Sequence, residues 1–217
     1  MNLRLVYGLS KSLIFDGDAT FAIQCPDWPD QVCNWKARPN RRWPSQEAVL
    51  RITSPGCHIV PKSHKDDHQG VTWRISFSRA EVDLSVLIPK MARFYFIGLK
   101  VIAKDYLSIT CKRIKSYHLK CILFNTLETT DPEFWKDEDN LEAGFSMLLN
   151  NLKKKIQNTS CPHYWIPHIN LFQEINQKDV TNLLEVIENV EKKPETYIEV
   201  LKVENENDDI IFDGRMV

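Results

Sequence analysis

A run of basic side chains enclosed by two tryptophans is the first segment of this sequence that could bind a ligand. The run consists of Lys36, Arg38, Arg41 and Arg42, between Trp35 and Trp43. Basic residues interleaved with aromatic ones are typical of nucleic-acid surfaces, and four charges would give a salt-sensitive contact with double-stranded nucleic acid. The alternative is that the tryptophans anchor the segment in the core while the charges stay in solvent.

A second candidate is a short segment with alternating polarity. Three apolar residues alternate with three polar ones over Trp73-Arg-Ile-Ser-Phe-Ser78, which predicts a strand with one apolar and one polar face. The polar face suits a binding cleft, although a structural strand that faces solvent would show the same pattern. Arg74 needs a partner there, either a nucleotide or a carboxylate of the chain.

Potential metal ligands are too sparse to predict a zinc site. His64 and His68 lie in a polar loop, and Cys161-Pro-His163 offers one thiol and one imidazole, whereas zinc sites need three or four protein ligands. The six cysteines include no Cys-x-x-Cys pair. We therefore expect free thiols, a reducing environment and a cytoplasmic location.

Composition narrows the class of protein. The chain has 217 residues, 43% of them hydrophobic, and a formal net charge of -1, so nucleic-acid binding would require a local patch. Only 7 glycines are present, which argues against a glycine-rich phosphate loop. The sequence lacks both a signal-peptide pattern and a run of about 18 apolar residues, so we expect no membrane association.

The elements that would position these side chains change type along the chain. Period-two patterns predict strands over 18–24, 57–62 and 72–78, and helical patterns predict helices over 30–38, 46–53, 89–106, 117–128, 137–158 and 179–193. Ser45 and Ser116 are predicted helix caps, and Ser78-Arg-Ala-Glu81 matches a capping box. The segment 164–172 is apolar and broken by proline, which favours an extended docking segment. This order indicates an α+β fold.

Several short blocks occur in an order that resembles the male abnormal 21-like family, which includes the cyclic GMP–AMP synthase-like receptors. They are Asp18-Ala-Thr-Phe-Ala-Ile23, Trp28-Pro29, Trp43-Pro44-Ser45, Gly56-Cys-His-Ile-Val-Pro-Lys62, His64-Lys65, Trp73-Arg-Ile-Ser-Phe-Ser78 with Glu81, Ser116-Tyr-His-Leu-Lys120, Trp135, Tyr164-Trp-Ile-Pro167 and Asn170-Leu-Phe172. The resemblance covers residues 18–172. It implies a partial nucleotidyltransferase palm (1–78) and a male abnormal 21-like helical lobe (79–193). The acidic run Glu204-Asn-Glu-Asn-Asp-Asp209 separately predicts an acidic, partly disordered tail (194–217).

The resemblance also implies a metal site of which this sequence carries one part. Active relatives hold two magnesium ions on three acidic residues, which clamp the triphosphate and activate the attacking hydroxyl. Asp18 matches the third of these acids, whereas the glycine–serine loop and the paired acids have no counterpart among the 17 preceding residues. We expect this chain alone to bind no cofactor, and Asp18 to bind magnesium or manganese only within a complete enzyme.

Nucleotide-binding residues are implied in the same way. Arg74 and Ser76 would contact a base, Lys100 and Ser116 would contact the triphosphate, and Tyr117 would stack on a base. Simple alternatives remain, since Lys100 fits a solvated helix face, Ser116 a helix cap and Tyr117 the edge of the core. Glu81 is interpreted as part of the capping box alone.

Two functions follow from this resemblance. The first is a truncated, catalytically silent family member with a nucleotide-facing cleft, which binds ATP or GTP weakly and acts as an interaction module. The alternative is the C-terminal part of an active nucleic-acid-sensing nucleotidyltransferase of innate immunity, which makes a cyclic dinucleotide from ATP and GTP. A palm without its partner strands would also expose apolar sheet surface and open edges, which predicts self-association.

Overall fold

The computed structural model describes residues 21–61 and 72–193. The interpretations that fall on residues 1–20, 62–71 and 194–217 lie outside the described residues. They include Asp18, the polar loop with His64 and His68, and the acidic tail.

A small antiparallel sheet forms the first part of the described structure. Its strands are β1 (Ile23–Cys25), β2 (Cys57–Pro61) and β3 (Trp73–Ser76), in the order β1-β2-β3. Each strand overlaps a predicted strand, although its first or last residue differs from the predicted bound by a few residues. Phe21, Ile23 and Trp73 expose 71%, 41% and 46% of their surface, so self-association keeps a physical basis and stays a prediction.

Helices make up most of the rest of the described chain. They are α1 (Cys33–Lys36), α2 (Gln46–Thr53), α3 (Ser78–Val86), α4 (Lys90–Ile102), α5 (Ser108–Thr110), α6 (Ser116–Thr129), α7 (Leu141–Gln157) and α8 (Gln177–Glu191). A π-helical turn, Ala103–Leu107, joins α4 to α5. The predicted α+β class is confirmed.

Two predicted helix starts are right and two are wrong. Ser45 caps α2 by accepting a hydrogen bond of 3.2 Å from the Ala48 amide, and Pro89 directly precedes α4. Ser116, in contrast, is the first residue of α6, after Lys115. The capping box at Ser78 is also wrong, because α3 begins at Ser78 itself without a side-chain cap.

An aromatic cluster joins the sheet to the helices. Trp165 packs against Trp35 at 4.6 Å between ring centroids and stacks on Phe77 at 5.2 Å. Tyr164 and Trp165 are fully buried, in a segment that forms turns rather than a helix. The segment docks in the core and is not a helix, as predicted, but it forms turns rather than an extended chain. It packs against Trp35 of α1 and against Phe77, the residue after β3.

We expect the substitution Gly144→Ala in α7 to destabilise the protein by about 1–2 kcal/mol. A Cβ atom at Gly144 would lie 2.2 Å from Cε2 of Tyr95, and overpacking of this kind costs roughly 1–3 kcal/mol, offset in part by the roughly 1 kcal/mol gain in helix propensity. Denaturant unfolding measures the change. The exposed control Asn150→Ala should leave stability unchanged or slightly raised, and a stabilised Gly144→Ala variant would contradict the close contact.

Candidate functional site

A cavity of about 560 Å³ lies between the end of α4 and the start of α6. Its wall is partly apolar, and five polar residues line it, namely Lys100, Lys104, Ser108, Lys115 and Ser116. Lys100 and Ser116 are the two residues that the resemblance assigns to a triphosphate. The fold therefore places both predicted phosphate contacts in one cavity, although they are 16 residues apart in the sequence.

The cavity is positively charged. Three of its lining residues are lysines, and none of the described residues that line it is acidic. Ser116 adds a hydroxyl at the first turn of the 14-residue helix α6, where free amide groups and the helix dipole favour an anion. These donors suit a phosphate group better than a neutral ligand.

Sequence reasoning missed Lys104, Lys115 and Ser108 as members of this site. A signal existed for two of them, because Lys104 is one helical turn after Lys100 and Lys115 directly precedes Ser116. Ser108 also follows Lys104 by four residues, but it lies beyond the predicted end of that helix at residue 106, whereas in the structure the helical path continues through the π-helical turn and α5.

Tyr117, the predicted base-stacking residue, is held by His163, which directly precedes the docking segment. Its hydroxyl lies 3.0 Å from Nε2 of His163. Nδ1 of His163 accepts hydrogen bonds of 3.2 Å from the amides of Trp165 and Ile166, so in the neutral ring the proton is on Nε2, which donates to Tyr117. Burial, with Arg74 and His168 nearby, lowers the pKa of His163 to about 4. The imidazole is therefore neutral near pH 7.

The ring of Tyr117 packs against the edge of the core. Burial raises the pKa of its hydroxyl, and the neighbouring thiol of Cys121 and carboxylate of Glu81 raise it further. The hydroxyl thus stays protonated and the ring is fixed in direction. Packing at the core edge accounts for Tyr117 without a ligand, and stacking on a base stays a prediction.

Arg74 and Ser76 lie on β3, outside the cavity wall. Arg74 is exposed, opposite Val60 in the sheet, and its charge acts on His163. Among residues 21–61 and 72–193 it forms no ion pair with a carboxylate, and contact with a base stays a prediction. Ser76 bonds to the hydroxyl of Ser78 at 3.1 Å. Tyr117 thus bonds to His163, whereas Arg74 is related to His163 only through its charge, and neither Arg74 nor Tyr117 lines the cavity.

Glu81 is a buried structural acid rather than a capping residue. Nζ of Lys120 lies 2.7 Å from one of its oxygens, and Nε1 of Trp165 donates to the other at 3.3 Å. Glu81 and Lys120 are only 8% and 3% exposed. The capping-box interpretation is wrong because the distant lysine and tryptophan satisfy this carboxylate in the interior.

Two arginines of the predicted nucleic-acid segment pair with a second buried acid, Glu128 of α6. Nη1 of Arg38 bonds to Glu128 at 2.9 Å, and Arg41 places a nitrogen 3.7 Å from the same carboxylate. Arg41 also lies over the ring of Trp35, 4.6 Å from its centroid, and burial lowers its pKa. The tryptophans do anchor the segment, as the alternative proposed, but these two charges do not stay in solvent.

The other two basic residues remain nearer the surface. Arg42 is exposed and bonds to Asp131 at 2.6 Å, and Lys36 is half-buried. Contact with nucleic acid stays a prediction, and in this structure it depends on Lys36 and Arg42 rather than on all four residues.

The magnesium interpretation depends on Asp18, which lies outside the described residues. In residues 21–61 and 72–193, no group of three or more histidine, cysteine, aspartate or glutamate side chains could hold a metal ion. The described residues thus do not fit a metal pair, and no catalytic step through magnesium follows from them. None of the helices in these ranges has the length and apolar character to cross a membrane.

Comparison with known proteins matches both parts of the chain to one family. Residues 16–84 match the Mab-21 protein nucleotidyltransferase domain, and residues 96–189 match the Mab-21 protein HhH/H2TH-like domain. A Mab-21-like protein of Drosophila melanogaster is 26% identical over 164 residues, which are 71% of this chain and 44% of that relative. The chain therefore spans less than half the length of this relative. Arg74 and Ser76 fall in the first matched range, and the cavity falls in the second.

We expect His163 to make the protein less stable as the pH falls from about 6.5 to about 4. The ordinary pKa of 6.5 is lowered to about 4 in the folded state, so the unfolded chain binds a proton in this window before the folded chain does. Above the window both states are neutral, and stability is complete. His163→Asn keeps an acceptor near the position of Nδ1 and removes the titration, so its unfolding free energy should fall less steeply, by about 1 kcal/mol per pH unit.

Urea unfolding at several pH values measures this difference. The exposed residue His168 supplies the control, and because it is the smallest of the three causes that lower the pKa of His163, His168→Asn should keep most of the steeper dependence of the original chain. If His163→Asn and the original chain lose stability equally between pH 6.5 and 4, His163 is not held neutral in the folded state.

Proposed function

Because this chain belongs to the Mab-21 family, we propose that it binds the phosphate groups of ATP or GTP weakly and is catalytically silent on its own. One observation carries the proposal. Lys100 and Ser116, which the family resemblance assigns to a triphosphate, line a single cavity with Lys104 and Lys115. A polyanion is the ligand class that three ammonium groups, a hydroxyl and a helix start would recognise together.

The base of the nucleotide would extend from the cavity toward Tyr117 and Arg74. Tyr117 follows Ser116 directly, and the hydrogen bond from His163 fixes its ring. Arg74 is the exposed cation of β3 whose charge acts on His163, and in this proposal it would contact the base. The phosphates would thus be held by exposed lysines, and the base by a hydrogen-bonded tyrosine and an exposed arginine.

Weak binding follows from the exposure of the phosphate contacts. Lys100, Lys104 and Lys115 are all exposed, and exposed ion pairs contribute roughly 0–1 kcal/mol each. A stacked base would add about 1–3 kcal/mol. These gains oppose the cost of immobilising the ligand, so we expect a dissociation constant near the millimolar range, about -4 kcal/mol.

Catalytic silence follows from the acids that this chain offers. Phosphoryl transfer in the family requires a metal pair on a cluster of carboxylates. Asp18 is the residue of this sequence that matches such an acid, and one carboxylate leaves a divalent ion mostly bound by water. The chain would therefore keep the binding half of the cleft without the catalytic half.

We expect an NMR titration with ATP to give near-millimolar binding that Lys104→Ala and Lys115→Ala each weaken about two- to fivefold, by loss of up to roughly 1 kcal/mol. Inorganic triphosphate should respond to these substitutions in the same way, since it lacks only the nucleoside. Arg74→Ala should weaken ATP binding and leave triphosphate binding unchanged. The exposed lysine of α7 provides a control, Lys154→Ala, which should bind both ligands like the original chain.

Micromolar binding of ATP that none of the lysine substitutions alters would place the nucleotide elsewhere. Equal weakening by Lys154→Ala would show a general effect of charge rather than the cavity.

We expect no cyclic or linear dinucleotide when the chain is incubated with ATP, GTP, magnesium or manganese, and double-stranded DNA or RNA. Chromatography with mass detection measures the products, and Asp18→Asn is the matched control. Product that appears with the original chain and disappears with Asp18→Asn would overturn the silence and favour the alternative, an active nucleotidyltransferase. Product that persists with Asp18→Asn would reveal a contaminating enzyme.

A further inference from the structure

Two cysteines face each other at the end of the β1–β2 ladder. Cys25 is the last residue of β1, Cys57 is the first of β2, and the two are direct partners in the antiparallel register. Direct partners project from the same face of a sheet, with Cα atoms about 4.5–5.5 Å apart. That spacing falls inside the range of about 4.4–6.8 Å that disulfides require. Both cysteines are free thiols in this structure.

The backbone holds the two residues close together at this rung. Gly56 has a φ of 74°, and a Cβ atom there would lie 2.0 Å from the carbonyl oxygen of Cys25. The chain before Cys57 therefore packs directly on Cys25, which only a glycine permits. The thiols themselves interact, because Cys25 together with burial raises the pKa of Cys57 to about 11.

We propose that Cys25 and Cys57 form an oxidisable dithiol, which a glutathione disulfide converts into a cross-strand disulfide. The site is separate from the cavity and from the residues that hold Tyr117. The two cysteines belong to one rung of the ladder, at which β1 ends and β2 begins. A rung at the end of a ladder can also adjust its spacing without breaking hydrogen bonds on both sides.

The two thiols have different roles in this exchange. Cys25 is half-buried and Cys57 is 4% exposed, so the thiolate of Cys25 attacks one sulfur of glutathione disulfide. This step forms a mixed disulfide and releases one glutathione thiolate, which takes up a proton. Cys57 then loses its proton to solvent and attacks the Cys25 sulfur, which releases the second glutathione. Two cysteine thiols are oxidised, and one glutathione disulfide is reduced to two thiols.

The disulfide would link β1 covalently to β2 on the sheet side of the cleft. It would close a loop from residue 25 to residue 57, which contains α1 and α2. β2 pairs with β3, where Val60 lies opposite Arg74. A covalent link between β1 and β2 would thus restrict the strand that supports Arg74, without contact with the ligand cavity.

The test is to equilibrate the full chain in glutathione buffers of increasing oxidised fraction, block free thiols, and digest the protein. We expect the 6 thiols of the chain to fall by two, and a peptide pair joined through Cys25 and Cys57 to lose the mass of two hydrogens. The melting temperature should rise by about 5–10 °C, and dithiothreitol should reverse both changes.

The variant Cys25→Ser should abolish the thiol loss and the rise in melting temperature, while leaving the buried Cys57 in place. Cys111→Ser removes another buried cysteine and should keep both effects. Three results would overturn the proposal: all six thiols stay free in the oxidising buffers, glutathione remains attached to Cys25, or the joined peptides contain a different pair of cysteines.

Discussion

The buried ion pair between Glu81 and Lys120 holds together the parts of this protein that are distant in sequence. Nε1 of Trp165 completes the site, with distances of 2.7 Å to Lys120 and 3.3 Å to Trp165. A buried carboxylate without its partners would be left uncompensated, and breaking such a pair costs roughly 3–5 kcal/mol. Because Glu81, Lys120 and Trp165 come from α3, α6 and the docking segment, this acid ties the three elements together.

Tyr164, the residue before Trp165, bonds in the same way to a second buried acid, Glu128. Glu128 accepts a hydrogen bond of 2.7 Å from the hydroxyl of Tyr164 and an ion pair from Arg38. Tyr164 and Trp165 thus bond to two different carboxylates, each with its own cation. The aromatic cluster supplies the apolar contact around them, and the two acids fix the direction of each ring. Hydrophobic burial alone, which has no direction, would not specify this geometry.

The hydrogen bonds of Tyr164 and Trp165 to Glu128 and Glu81 also determine which part of the candidate cleft is held in place. His163 directly precedes Tyr164, so the docking segment places the imidazole that bonds to Tyr117. The lysines of the cavity, in contrast, extend from helix surfaces and are exposed. Orientation of a base would come from the buried network, whereas attraction of phosphate would come from exposed charges.

The sequence by itself determined the family, the α+β class, the cap at Ser45 and the docking segment, because these depend on local patterns and on the order of short motifs. The tertiary structure alone decided the roles of Glu81, Arg38 and Arg41, and brought Lys104 and Lys115 to the cavity. Ser78-Arg-Ala-Glu81 matches a capping box locally, yet Glu81 bonds to residues 39 and 84 positions away. A buried ion pair outweighs a surface cap in free energy, and its partners are unknown until the chain has folded.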